Sequence, residues 1–394
     1  MKIIKSKLAL NSSFLLSVIF LCCGALKSSA QEEYKDPKNK ALTEIYPGGS
    51  FYEVQQYNQT KKKKGPKNII LMIGDGMGLA QIYSGMTANG GHLFLENFKN
   101  IGFSKTYSSD KYVTDSAAGA TALSSGVKTY NGAIGVDPDK KPVVNIVEMA
   151  IKKGLKTGLV STSSINHATP AGFIAHADSR KSFDDIALDF LKNDIDVFIG
   201  GGKKYFEKRK DGKNLSQELK DKGYQVLYNI DDIQNVKSGK LAGLTAEDHN
   251  KPMPERGEML VPATQTALKL LSQTKKGFFL MVEGSQIDFS AHKNDTPGVV
   301  LEMLDFDKAI GAALEFAASN KETLIIVTAD HETGGMTLLD GDYTTGKVVA
   351  KYTTLGHSGI AVPIFAFGPG AEEFSGFMEN TDIAKKIMKL LNLK

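Results

Sequence analysis

Three short apolar runs in this chain each stop at a carboxylate: "NIILMIGDG" at Asp75, "KGFFLMVEGSQID" at Glu283 and Asp288, and "ETLIIVTADHETGG" at Asp330, with His331 beside it. Runs of this length without polar alternation fit strands buried on both faces, which requires layers above and below the sheet. Helical stretches such as "VVNIVEMAIKKG" alternate with them and with "KTGLVSTSS", "DIDVFIGGG" and "IAVPIFAFGPG". Alternation of this kind gives a mostly parallel sheet covered by helices. In open α/β sheets the carboxyl ends of the strands form the ligand crevice. Acids gathered at one edge of a buried sheet repel one another unless cations neutralise them. The pattern therefore points to a metal site.

The N-terminus is a separate matter. Lys2, Lys5 and Lys7 precede the apolar run "FLLSVIFLCCGAL", and "KSSAQEE" follows it. A basic head, a core too short to span a bilayer and a small-residue site at Ala30 read as an export signal over residues 1–30. A retained anchor fits less well because polar chain follows, and a lipid-bearing Cys22 or Cys23 fits less well because the residues before them are unsuitable. Removal of this segment takes both cysteines, so thiolate metal sites and disulfides are excluded. It also takes Lys2, Lys5, Lys7 and Lys27, leaving 44 bases against 44 acids. A neutral chain gives no argument for nucleic acid or an anionic membrane surface as partner, and no membrane span is retained.

Residues 31–66 are polar, end in "TKKKKGPKN" and read as an arm or linker. Residues 67–394 carry the alternating pattern. Length leaves one large domain or two smaller ones open. Residues around 203–260, richer in charge and turn formers, read as a peripheral insertion.

Seven histidines can be weighed singly. Asp288 and His292 are four apart and share a helical face, so both can hold one ion. Asp330 and His331 are adjacent and can act together only where the strand has ended, as Gly334 and Gly335 suggest. His357 lies between small residues in "LGHSG". Imidazole and carboxylate ligands without cysteine suit catalytic zinc, which keeps an open coordination position. In "DKYVTDSAAGATAL", Ser116 should begin a helix whose first turn is all small residues. These either bring an anion close to backbone N–H groups or serve tight helix packing.

Taken together, "GDGMG", "YVTDSAAGATALSSGVKTYNGAIGVD", "NHATPAGFIAHADSR", "VEGSQIDFSAH", "VTADHETGG" and "GHSG" resemble the alkaline phosphatase family in content and order, from about residue 67 to the end. The resemblance implies a single three-layer α/β/α domain and hydrolysis of phosphate monoesters by a serine nucleophile. It further implies two zinc ions and one magnesium ion per chain, and favours a homodimer in the periplasm or outside the cell. By the same resemblance Ser116 is the nucleophile and Arg180 grips the phosphate. Asp288, His292 and His357 hold one zinc; Asp75, Asp330 and His331 hold the other; Asp75, Thr169 and Glu283 hold magnesium. Asp115 orients Arg180 or caps the helix. His167 and Phe289 stand where one branch of the family has aspartate and lysine, and His167 is expected near the magnesium site. His176 reads as structural, His92 and His249 as surface residues. The alternatives are another hydrolase or mutase on the same metal core (a sulfatase, phosphodiesterase or phosphoglycerate mutase) and a non-catalytic exported phosphate-binding protein.

Overall fold

The computed structural model describes residues 44–58 and 65–394. The expected export signal and the lysine run at 61–64 lie outside the described residues. In chain order the strands are β1 Glu44–Tyr46, β2 Asn68–Gly74, β3 Asn100–Lys105, β4 Lys156–Ser164, β5 Val197–Gly201, β6 Tyr224–Leu227, β7 Lys240–Leu244, β8 Phe278–Gly284, β9 Thr323–Thr328, β10 Glu332–Thr333, β11 Thr337–Asp342, β12 Lys347–Lys351, β13 His357–Ser358, β14 Val362–Phe367 and β15 Gly376–Glu379. Ten of them form one sheet in the order β15-β3-β14-β9-β2-β8-β4-β5-β7-β6. Only β14 runs against the rest, since it pairs antiparallel with both β3 and β9.

β2 shows why the sheet is covered on both sides. All seven of its residues are buried. Ile70 and Met72 enter one apolar cluster, with side chains from the helices Leu260–Leu271 and Thr296–Asn320. Ile69, Leu71 and Ile73 enter a second cluster, with the helices Ser116–Ser125, Ile146–Lys153, Phe183–Lys192 and Asn380–Leu390. The period-two alternation of the strand thus feeds two cores. The expected α/β/α layering with a mostly parallel sheet is what the chain adopts.

Two stretches differ in placement from a simple reading of their composition. Residues 203–260 lie at one edge, but they supply β6 and β7 to the main sheet itself. The described part of the arm is laid against the body. β1 pairs with β12, and the Tyr52 hydroxyl donates to Asp307 Oδ2 at 2.6 Å. Asn89 and Asn97 accept from the backbone N–H groups of Tyr52 and Tyr57. A polar segment can be anchored this way because its backbone and side-chain donors find fixed acceptors. No helix among the described residues is long and apolar enough to cross a membrane.

A candidate metal and phosphate site at the carboxyl edge of the sheet

Asp75 follows β2 directly, Glu283 is the penultimate residue of β8, and Asp330 comes two residues after β9. Because β8, β2 and β9 are neighbouring parallel strands, their carboxyl ends bring these three acids together. The helix Gln286–Ala291 after β8 adds Asp288 and, just past its end, His292.

Ser116 opens the helix Ser116–Ser125, every residue of which is buried. Gly119 lies flat against the Asp330 turn: a Cβ there would sit 3.0 Å from Asp330 Cβ and 3.4 Å from its carbonyl oxygen. On another side, a Cβ on Gly172 would meet that of Ala120 at 2.8 Å. The small residues therefore do serve packing, and Gly119 packs against the turn that carries Asp330. The same contact holds the Ser116 hydroxyl 3.3 Å from His331 Nε2.

His331 Nε2 is also 3.4 Å from Asp75 Oδ1 and 3.2 Å from Asp330 Oδ2. A second set mirrors the first. Asp288 Oδ1 is 3.3 Å from His292 Nε2 and 3.6 Å from His357 Nε2, and the two Nε2 atoms are 3.1 Å apart. Ligands on a tetrahedral zinc at bond lengths of about 2.0–2.1 Å lie about 3.3–3.4 Å from one another. The five separations above, from 3.1 to 3.6 Å, bracket that value.

The outer partners fix which nitrogen faces the site. His292 Nδ1 donates to Leu355 O at 2.6 Å, and His357 Nδ1 donates to Thr114 O at 2.8 Å. His331 Nδ1 donates to Thr333 Oγ1, which passes its own hydrogen to Asp288 Oδ1 and so links the two sets. With Nδ1 engaged outward, Nε2 is the nitrogen that each ring turns toward the site, the orientation metal-ligating histidines use.

The electrostatics demand cations. Asp75 Oδ1, Asp330 Oδ2 and Glu283 Oε1 are buried without a hydrogen-bond partner. Burial, and then the carboxylates of Asp330, Asp288 and Glu283, hold Asp75 well above the usual range. Burial together with Asp288 and Glu283 pushes Asp330 up to about 8, and burial raises Glu283. Burial also works against the Asp288 carboxylate, but the hydrogen bond from His292 and the nearby imidazoles outweigh it and bring it below its ordinary value. Its partner His292 rises to about 9, chiefly through that hydrogen bond. Burial, then His357, keeps His331 neutral. These oxygens and imidazole nitrogens suit divalent ions, and the residues present fit them. Near Asp75, Thr169 Oγ1 lies 3.5 Å from Oδ2. Glu283 accepts from Ser161 Oγ at 2.6 Å, with Ser285 and Thr169 also close.

Arg180 stands between two partners. Its Nη1 donates to Asp115 Oδ2 at 3.0 Å and its Nη2 to His167 Nε2 at 3.2 Å. Asp115 Oδ1 meanwhile caps the Ser116 helix by accepting from Ala118 N at 3.0 Å. One carboxylate does both tasks considered for it. Burial, then Arg180 and His249, keep His167 neutral, as an acceptor must be. His249, expected at the surface, is instead half-buried beside the site. Its ring meets His167 and Phe289 edge-to-face at 5.1 Å, and its Nδ1 accepts from Ser164 N. Its polar sequence neighbours gave no sign of this. His92 is exposed and pairs with Glu96, while His176 bridges Gly135 O and Glu148. Ser161 and Thr333 also touch the site and were not singled out from sequence, although both lie next to its motifs.

The family model for alkaline phosphatase matches residues 66–352. Alkaline phosphatase 4 of Bacillus subtilis is 37% identical over 88% of this chain and 94% of its own length. The solved alkaline phosphatase of the Antarctic bacterium TAB5 is 46% identical, covers 84% of this chain with all of its own, and superposes with a TM-score of 0.80. A variant of that enzyme with one histidine changed to aspartate holds magnesium in a site called M3; it is 45% identical over 84% of this chain and 99% of its own, with a TM-score of 0.79. Fold, relatives and the arrangement of acids and imidazoles around one serine agree: this chain belongs to the alkaline phosphatase family and is an enzyme of that kind.

Proposed function

We propose that the chain hydrolyses phosphate monoesters through a phosphoserine on Ser116, with two zinc ions and one magnesium ion per chain. Asp288, His292 and His357 would hold one zinc, Asp75, Asp330 and His331 the other, and Asp75, Thr169 and Glu283 the magnesium. The observation that carries this reading is the pair of carboxylate–imidazole groups, their oxygens and nitrogens 3.1–3.6 Å apart, beside a buried serine, with carboxylate oxygens left unpaired. Divalent ions bound there supply positive charge that lowers the pKa of a hydroxyl and steadies the attacking and leaving oxygens.

The protein's own groups do the rest. Arg180 presents a planar fork to two nonbridging phosphoryl oxygens, a match a lysine lacks. Asp115 and His167 hold that fork from both sides. Ser116 Oγ releases its proton to solvent and bonds to phosphorus as the bond to the leaving oxygen breaks, and the alcohol departs with a proton drawn from solvent. Water then attacks phosphorus from the vacated side, the Oγ–phosphorus bond breaks, and Ser116 regains its proton. One water is consumed per ester. The amino-terminal N–H groups of the Ser116 helix favour the anion throughout.

Acid quenching with a labelled monoester should trap label on Ser116. Ser116→Ala should trap none and lose most turnover while unfolding at nearly the same temperature. Chelation should abolish activity, and metal analysis of active protein should give two zinc and one magnesium per chain. Full activity after chelation would refute the reading. The N-terminal features support export, and mature protein beginning at Gln31 is the expected product.

A further inference from the structure

The two ligand sets differ in exposure. Asp75, Asp330 and His331 are buried, whereas the His292 side chain is 38% exposed and that of His357 13%. Ser116 Oγ contacts the buried set through His331. In-line transfer puts the leaving oxygen opposite the serine, so the alcohol leaves past His292 and His357.

The chain around that exit is unusually apolar for surface. Leu355, whose carbonyl accepts from His292, is 65% exposed, and Ile360, three residues beyond His357, is 59% exposed. Tyr112 is 80% exposed and lies two residues before Thr114, whose carbonyl accepts from His357. The Tyr112 ring rests on the turn carrying His357: a Cβ on Gly359 would come within 2.4 Å of it. Among the large apolar side chains of the described residues only Phe377 and Val144 also exceed Ile360 in exposure, with Leu79 next at 53%. Scattered exposed apolar residues need no explanation, but here Leu355 and Ile360 flank His357 along the chain and the Tyr112 ring lies on the same turn.

We infer that Tyr112, Leu355 and Ile360 form an apolar subsite for the leaving group, so that the preferred monoesters carry an aromatic or otherwise apolar alcohol. A flat ring laid over Tyr112 gains the area and stacking that a short alkyl group lacks. This rests on the reading of Ser116 and the two histidines given above.

The test compares kcat/KM for 2-naphthyl phosphate and ethyl phosphate in wild type and in a Tyr112→Ser, Ile360→Ser double variant. Dividing variant by wild type cancels the difference in leaving-group acidity. Loss of about 60 Å² of apolar cover should lower the naphthyl-to-ethyl ratio about tenfold. An unchanged ratio, with wild type active on both esters, overturns the subsite and leaves the phosphoserine reading intact. Wild type inactive on both overturns the latter instead. A wild-type dimer that the substitutions split without moving the ratio marks a self-association face and also overturns the subsite. Should the double variant not fold, wild-type inhibition decides. Binding of 2-naphthylphosphonate at least about fivefold tighter than ethylphosphonate supports the inference, and equal or weaker binding refutes it.

Discussion

Asp115 offers the sharpest separation of structure from function, because its two oxygens have different partners. Oδ1 caps the Ser116 helix and Oδ2 holds Arg180, each at 3.0 Å. Asparagine caps about as well as aspartate, so Asp115→Asn keeps the first contact and loses the second. A charge-assisted hydrogen bond contributes about 1.5–3 kcal/mol when buried and under about 1 when exposed. With both side chains about one-fifth to one-quarter exposed, about 1–1.5 kcal/mol is the middle value, or roughly tenfold in an equilibrium. Removing the carboxylate also removes a repulsion against a bound anion. Assay in 0.5 M salt, where the screening length is ~4 Å, suppresses that opposing effect. The measurement is competitive inhibition by inorganic phosphate, which should weaken about tenfold in Asp115→Asn with little change in melting temperature. Asp115→Ala should weaken phosphate to the same degree and also lose about 1 kcal/mol of stability, about 1–2 °C for a domain this size. If asparagine destabilises as much as alanine, or leaves phosphate binding at high salt untouched, the division of labour is wrong.

Gly119→Ala should push the Ser116 helix off the Asp330 turn by a few tenths of an ångström, since the new Cβ would sit 3.0 Å from Asp330 Cβ. We expect kcat/KM to fall roughly tenfold with about 1–3 kcal/mol lost in stability; wild-type kinetics in this variant would show that the contact does not set the serine's position. Asp307, clamping Tyr52, Phe94 and Leu95 and facing Glu96, is raised by burial from 3.8 to about 7. Its folded pKa is the higher one, so its contribution is complete below about 4 and is lost as pH rises to about 7, up to a few kcal/mol. Denaturant titrations should show a steeper decline over that range in wild type than in Asp307→Asn; parallel curves would refute it.

Much of the site was legible because buried parallel strands are continuous apolar runs, and the residue that ends each run marks the sheet edge. Asp75, Glu283 and Asp330 could be found that way, and the four-residue step from Asp288 to His292 on its own helix. Strand direction was not legible: "IAVPIFAFGPG" reads as a buried strand whichever way it runs, and β14 alone is reversed. β6 and β7, four and five residues long with Gln225 and Lys240 among them, gave too little periodicity to be seen within a charged segment. The pairing of β1 with β12 joins residues about 300 apart and leaves no local trace. His249 reaches the site through ring contacts and one bond from Ser164 N, which no spacing rule encodes.

The position of β2 in the sheet has a consequence for biosynthesis. It is the first strand of the main sheet to be made, yet its partners β8 and β9 begin at Phe278 and Thr323. About 200 residues separate it from β8 and about 250 from β9, ~10–50 s at ordinary rates of translation. For that interval the nascent chain carries the apolar run Ile69–Ile73 without its strand partners, and Ser116 is synthesised long before its imidazole neighbour at 331. Protection of this stretch, by a holding chaperone or by passage in extended form, is therefore a requirement the topology itself imposes.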